Sequence, residues 1–298
     1  MKNIGFLSQG AAAALLFLTG VSCGNDEVID SGNQNEFRIE ARIVQTPPQG
    51  RSPELDAGGA GKFVAGDRNS LFFYTDGKEV LKNFEYVHGN KYYWSDINLS
   101  ETVKTCSLAA CYPAVSTDLP AQLEWNVVDR QENPDLLLAV PAAVVPENSD
   151  PIGLVFKHVM HKIHVEVVAW ASTVSASDIP QAVITCKDFL PGAEVDILEG
   201  QAVSAAGNPA SIRKTGAVAD FIIPAQNAGE MEIVIALKDK TAVFGISGMV
   251  VNGVPLQKLE SGKTLSITIK ARRNDFVING QNIDAWGHQG DFSDEIII

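Results

Sequence analysis

Three of the chain's five histidines stand three residues apart, at His158, His161 and His164 in FKHVMHKIHVEVVAW. Imidazole is a common metal ligand, so the spacing raises metal binding first. The answer depends on the backbone. A helix would bring the three rings toward one face. Here Ile163, Val165, Val167 and Ala169 alternate with Lys162, His164 and Glu166, and β-branched residues at period two describe a strand. On a strand, residues three apart face opposite sides, and His158 and His164 stand about 20 Å apart, too far to share one ion. Leu154, Phe156, His158 and Met160 occupy one parity and Ile163 onward the other, so a bulge or bend is expected near His161. The expectation is no metal, and a polar ring at a bend with one nitrogen bonded to backbone.

The other reactive residue types are sparse. Besides Cys23 the chain has Cys106, Cys111 and Cys186. Cys106 and Cys111 in TCSLAAC could close a small disulfide loop in an exported protein, or stay as buried apolar thiols, the expectation for Cys186. Their spacing is no zinc pattern and no second cysteine pair exists. There is no Gly-x-Ser-x-Gly, no His-Glu-x-x-His and no P-loop,. Acidic neighbours such as Asp129 and Glu132 read as solvated loop charges. An enzyme is not expected, nor any cofactor. Tyr92, Tyr93, Trp94, Trp125 and Trp286 could form an aromatic platform for sugar rings, or pack in a core.

The elements that would position these residues are short strands. EFRIEARIVQ sets Phe37, Ile39, Ala41 and Ile43 against Arg38, Glu40 and Arg42, a half-buried strand. TPPQGRSPELDAGGAG follows, a Pro/Gly-rich loop with Arg51 at its centre,. SLFFYTDGKEV reads as a strand and a hairpin turn at Asp76-Gly77, and HGNKYYW as the same form with a turn at Gly89-Asn90. PENSDP, residues 146–151, reads as an internal linker,. After it come about nine further short strands. The fold class expected is all-β, as two β-sandwiches in tandem over residues 37–150 and 151–298.

The N-terminus sets the compartment. MKNIGFLSQGAAAALLFLTGVSC has one cation, an apolar run from Ala11 to Leu18, then small residues up to Cys23, the layout of a secretory signal. The run is shorter than the roughly 20 apolar residues of a membrane span. A cysteine at this place, behind Gly20-Val21-Ser22, resembles a bacterial lipoprotein signal. That implies a signal peptide over 1–22, acylation of Cys23, and an acidic flexible tether over 23–36. The net charge of −13 is the wrong sign for nucleic acid, whose phosphates need clustered Lys and Arg.

GLVFKHVMHKIHVEV then resembles the Phe-x-His-x-Met-x-Lys-Ile strand of the fimbrillins and fimbrillin-like lipoproteins of Bacteroidetes, through Phe156, His158, Met160, Lys162 and Ile163. KFVAGDRNSLFFY resembles their Phe-x-x-Gly-Asp motif through Phe63, Gly66 and Asp67. ACYPAV resembles their Tyr-Pro segment through Tyr112 and Pro113, and NPDLLLAV their Asp-Leu-Leu segment through Asp135 to Leu137. FLPGAEVDILEG, FIIPAQ and NIDAWGHQG resemble later stretches in order. The resemblance implies two transthyretin-like sandwich domains and a structural or accessory subunit of a type V pilus. It implies export to the outer membrane and cell surface on a lipid anchor. It implies proteolytic removal of the N-terminal strand, with Arg51 as the candidate processing site, and assembly with other fimbrial subunits by strand exchange. Ile296, Ile297 and Ile298 are the candidate donor strand. The alternative is a monomeric surface lipoprotein binding a glycan or host protein.

Overall fold

A computed structural model describes residues 35–44, 54–55, 61–169, 175–251, 253–271 and 276–285; for 54–55 and 276–285 the backbone alone is described. These residues form one compact unit, almost entirely of strands, with one short helix, Trp94–Ile97, and three 3₁₀ turns. None of the described helices is long and apolar enough to cross a membrane. The all-β expectation is met.

The first half builds a nine-stranded sheet. Its centre is Arg68–Tyr74, Cys106–Tyr112 and Leu137–Ala139. Arg68–Tyr74 is a continuous buried run after its first residue, because both faces of the sheet are covered. Leu71, Phe73, Leu108, Ala110 and Leu137 enter one core. Phe72, Tyr74, Ala109, Cys111 and Leu138 enter another, shared with the second half of the chain.

In that second half, Val218–Pro224, Met160–Ala169, Lys263–Ala271 and Phe276–Ala285 form one four-stranded sheet. Ala210–Thr215, Val183–Phe189, Glu232–Leu237 and Lys240–Gly245 form another. Ile163, Val165, Phe221 and Ile267 of the first meet Ile184, Ile233, Ile235 and Phe244 of the second in one apolar cluster. Alternating side chains on two facing sheets make a sandwich core.

Residues on both sides of the expected division at 150/151 mix. Ile152–His158 hydrogen-bonds into the first sheet, antiparallel to Leu137–Ala139 and parallel to Ile39–Val44. Leu123–Asn126 pairs with Gly192–Asp196 of the second half. The chain leaves the first sheet at Val159, and Met160–Ala169 enters the second half. The expected bend is therefore present, two residues before His161. Gly262 fits at this crossing with φ +64, where an added Cβ would stand 2.9 Å from the His158 carbonyl oxygen, so no other residue is accommodated without a shift. The Asp76-Gly77 hairpin forms as expected. Tyr92–Tyr93, in contrast, does not turn back on the strand before it; it pairs with Glu36–Phe37.

Candidate functional site

The features that bear on function converge on the N-terminal strand. Ile39–Val44 runs parallel to Ile152–His158, with Ile39 opposite Ile152 and Val44 opposite Lys157. Its alternation is as read from the sequence: Phe37 and Ile43 are buried, Ile39 and Ala41 half-buried, and Arg38, Glu40 and Arg42 exposed. On its other side the strand is almost unpaired; among the described residues only Ile43 meets Gly61. A cavity of about 690 Å³ lies against this strand pair, lined by residues 39–42 and 153–155 with Phe63 and His88.

Phe37 anchors the segment. Its ring lies 4.9 Å from Trp94, 6.1 Å from Phe73 and from Tyr86, and 6.4 Å from Phe84. Most of these contacts are edge-to-face, the geometry the ring quadrupole favours, each adding about 0.5–1.5 kcal/mol beyond burial. Polar contacts from the 147–149 loop strap the same segment. Arg38 donates to the Ser149 carbonyl, Asn35 to that of Glu147, and the Trp94 indole to that of Asn148. The stretch that reads as a linker in the sequence thus serves as a clasp.

Of the Phe-x-x-Gly-Asp residues, Phe63 lines the cavity beside His88. Gly66 has φ +95, a conformation open to glycine, and lets the Asp67 carboxylate accept from the Val64 N–H at 2.8 Å. Gly66 donates to the His88 carbonyl, and His88 to that of Asp67. The His88 ring stacks on Phe63 at 4.6 Å, and its burial lowers its pKa.

The three histidines of the opening stretch go to three places. His158 Nδ1 lies 2.6 Å from Asp135 Oδ2, and Asp135 also caps the Leu136 N–H. His161, fully buried, sets Nδ1 against the Glu260 carbonyl at 2.8 Å, the backbone partner expected of a ring at this bend. His164 reaches Asp220 at 2.7 Å, and Lys162 reaches the other oxygen of the same carboxylate at 3.1 Å. Burial raises the Asp220 pKa, but His164 and Lys162 outweigh it and hold the carboxyl below its usual range. No group of three His, Cys, Asp or Glu among the described residues could hold a metal ion.

Cys106 and Cys111 are free and buried. Both lie on Cys106–Tyr112 and enter different cores. Five residue steps along the strand separate them by about 16 Å, against the roughly 6 Å between Cα atoms that a disulfide needs. The loop-closing bridge is therefore ruled out by the strand. Of the aromatics considered for a platform, Trp94 and Trp125 are buried, with the Trp125 indole donating to the Pro134 carbonyl, whereas Tyr92 and Tyr93 are half-buried. Asp129 and Glu132 are exposed. Cys23, Arg51, Trp286 and Ile296 to Ile298 lie outside the described residues. The aromatic socket around Phe37 is what the sequence reading missed; the aromatics were visible, but their convergence is a long-range contact.

Comparison with known proteins agrees with this architecture. A search of functionally curated proteins finds no match. Among solved structures, a provisionally named cell adhesion protein from Bacteroides uniformis superposes with a TM-score of 0.64 at 13% identity, covering 84% of this chain and 98% of its own. A second provisionally named cell adhesion protein, from Bacteroides ovatus, gives 0.60 at 16% identity, covering 86% and 99%. At these identities the likeness is one of fold. The sequence profile of the fimbrillin-like family matches residues 57–286, well over half of the chain, and the protein belongs to that family.

Proposed function

We propose that the protein is a structural or accessory subunit of a type V pilus. In this reading it is exported as an outer-membrane lipoprotein through Cys23 and assembles with other fimbrial subunits by strand exchange, in support of adhesion. The observation that carries this reading is the peripheral seat of the Ile39–Val44 strand. It is held by parallel pairing on one side, among the described residues by a single bridge on the other, and by the Phe37 ring in its socket. Cleavage after Arg51 would free this segment. It would expose the unpaired edge of Ile152–His158 and an empty aromatic socket, the two features that a donor strand satisfies. The C-terminal tail has a matching pattern: Phe292, Ile296 and Ile298 are spaced as Phe37, Ala41 and Ile43 are. Ile296, Ile297 and Ile298 supply its apolar end.

The test is mass spectrometry of subunits in assembled fibres. The expected mature N-terminus is Ser52. Intact acylated Cys23 in fibre subunits would overturn the cleavage step. Deletion of residues 295–298 is expected to leave folded monomer and no polymer; unchanged polymer would remove the donor role.

A further inference from the structure

The Ile39–Val44 strand and Phe37 before it turn Phe37, Ile39, Ala41 and Ile43 toward the first core. The two ends of this set are seated: Phe37 and Ile43 are each 2% exposed. The middle is not. Ile39 and Ala41 are half-buried and pack only against the outside of the cluster to which Phe37 and Ile43 belong. The cavity of about 690 Å³ lies at this middle stretch. Ala41 stands beside Leu154 in the parallel register, and both line the cavity together with Phe63 and His88. Phe63 is held by the rings of Phe156 at 4.9 Å and Tyr112 at 5.3 Å, and His88 stacks on it at 4.6 Å. This wall of the cavity therefore consists of packed rings.

The gap traces to one residue. Protein interiors hold few voids larger than a water, which takes about 30 Å³. The inward residues of the segment are Phe, Ile, Ala and Ile, and Ala41 is the only small one. Alanine is also a weaker strand former than isoleucine. On the far side of the strand only Ile43 is bridged, to Gly61, so residues 39–42 have no ladder partner there among the described residues.

We propose that Ala41 keeps this strand loosely seated: its side chain is smaller than its site, and the ease of the strand's release is set at this position. A larger apolar residue here fills the cavity and holds the strand. Isoleucine suits the backbone, because Ile39 and Ile43 occupy the same face of the same strand,. The cavity also spares the overpacking that added carbons bring to a filled core. The inference deepens the strand-exchange reading and rests on it for its consequence. In the register where Phe292 takes the place of Phe37, Ile296 of the partner subunit takes the place of Ala41. The incoming strand then fills a site that the outgoing strand leaves open.

The experiment measures amide hydrogen exchange along Ile39–Val44 and Ile152–His158 in the monomeric full-length chain. Ala41→Ile is expected to slow exchange about tenfold, which is less than two buried methylenes are worth, and Ala41→Val to slow it less. Ala41→Thr has the branching of valine with a hydroxyl in place of a methyl, so it raises strand propensity with less apolar burial. It is expected to stay within about twofold of the wild type. Ile296→Ala is expected to leave exchange in the monomer unchanged and to slow polymer formation, as Ala41→Ile does. Exchange is read on the monomer, so it decides the role of Ala41 whether or not polymer forms. Exchange in Ala41→Ile as fast as in the wild type, or faster, would overturn the proposal. So would equal slowing by Ala41→Thr and Ala41→Val, which would assign the effect to strand propensity.

Discussion

Phe37 meets Trp94 edge-on, with ring centroids 4.9 Å apart and planes at 77°. The first residue belongs to the N-terminal segment and the second to the only α-helix among the described residues, so this contact ties the start of the described chain to the body of the first sheet.

Phe37→Ala removes that tie. Emptying a buried phenylalanine site costs about 3–5 kcal/mol when the structure cannot collapse. Here the strand lies near the sheet's periphery, so it can detach, and the cost is capped at that of local opening. The expected result is a small fall in global stability and faster amide hydrogen exchange along Ile152–His158. Unchanged exchange in that strand would refute the anchoring role.

His161 makes stability depend on pH. Burial lowers its pKa to about 4 against 6.5 for the free side chain, with the Glu260 carbonyl partly offsetting. The unfolded chain therefore takes up a proton first. Stability falls as the pH drops from about 6.5 to about 4, by up to about 3 kcal/mol, and levels off below. His161→Asn keeps a donor toward Glu260 and does not titrate. Urea midpoints at pH 7 and pH 4.5 should converge in the variant relative to the wild type.

Asp220 acts in a lower window. Its depressed pKa gives stability that is present above about pH 4 and lost as the pH falls through the folded value. Asp220→Asn leaves Lys162, only 6% exposed, without its carboxylate. The expected loss is about 2–4 kcal/mol at pH 7, read by chemical denaturation, because an unpaired charge stays out of water. Lys162→Met combined with Asp220→Leu should recover most of it. A double variant as weak as the single one would show that the pair itself stabilises.

The thiols should be silent. Burial pushes Cys111 and Cys186 up to about 12 and raises Cys106, so little thiolate exists at neutral pH. Folded protein is expected to resist alkylation at all three sites, and unfolded protein to react at each. Peptide mapping that finds Cys106 linked to Cys111 would contradict the strand that separates them.

The sequence by itself determined the all-strand architecture, the inward set Phe37, Ile39, Ala41 and Ile43, and the strand through the three histidines. These are period-two patterns, and alternation is a local property that the chain writes directly. Only the tertiary structure decided what each face meets. It placed Ile152–His158 in the first sheet, across the expected division, and paired Tyr92–Tyr93 with Glu36–Phe37. It buried Trp94 and Trp125, and it put Cys106 and Cys111 into separate cores. Alternation says which side chains share a face, whereas the partner of a strand edge and the cover over a face are contacts between residues far apart in sequence, and no local pattern encodes them.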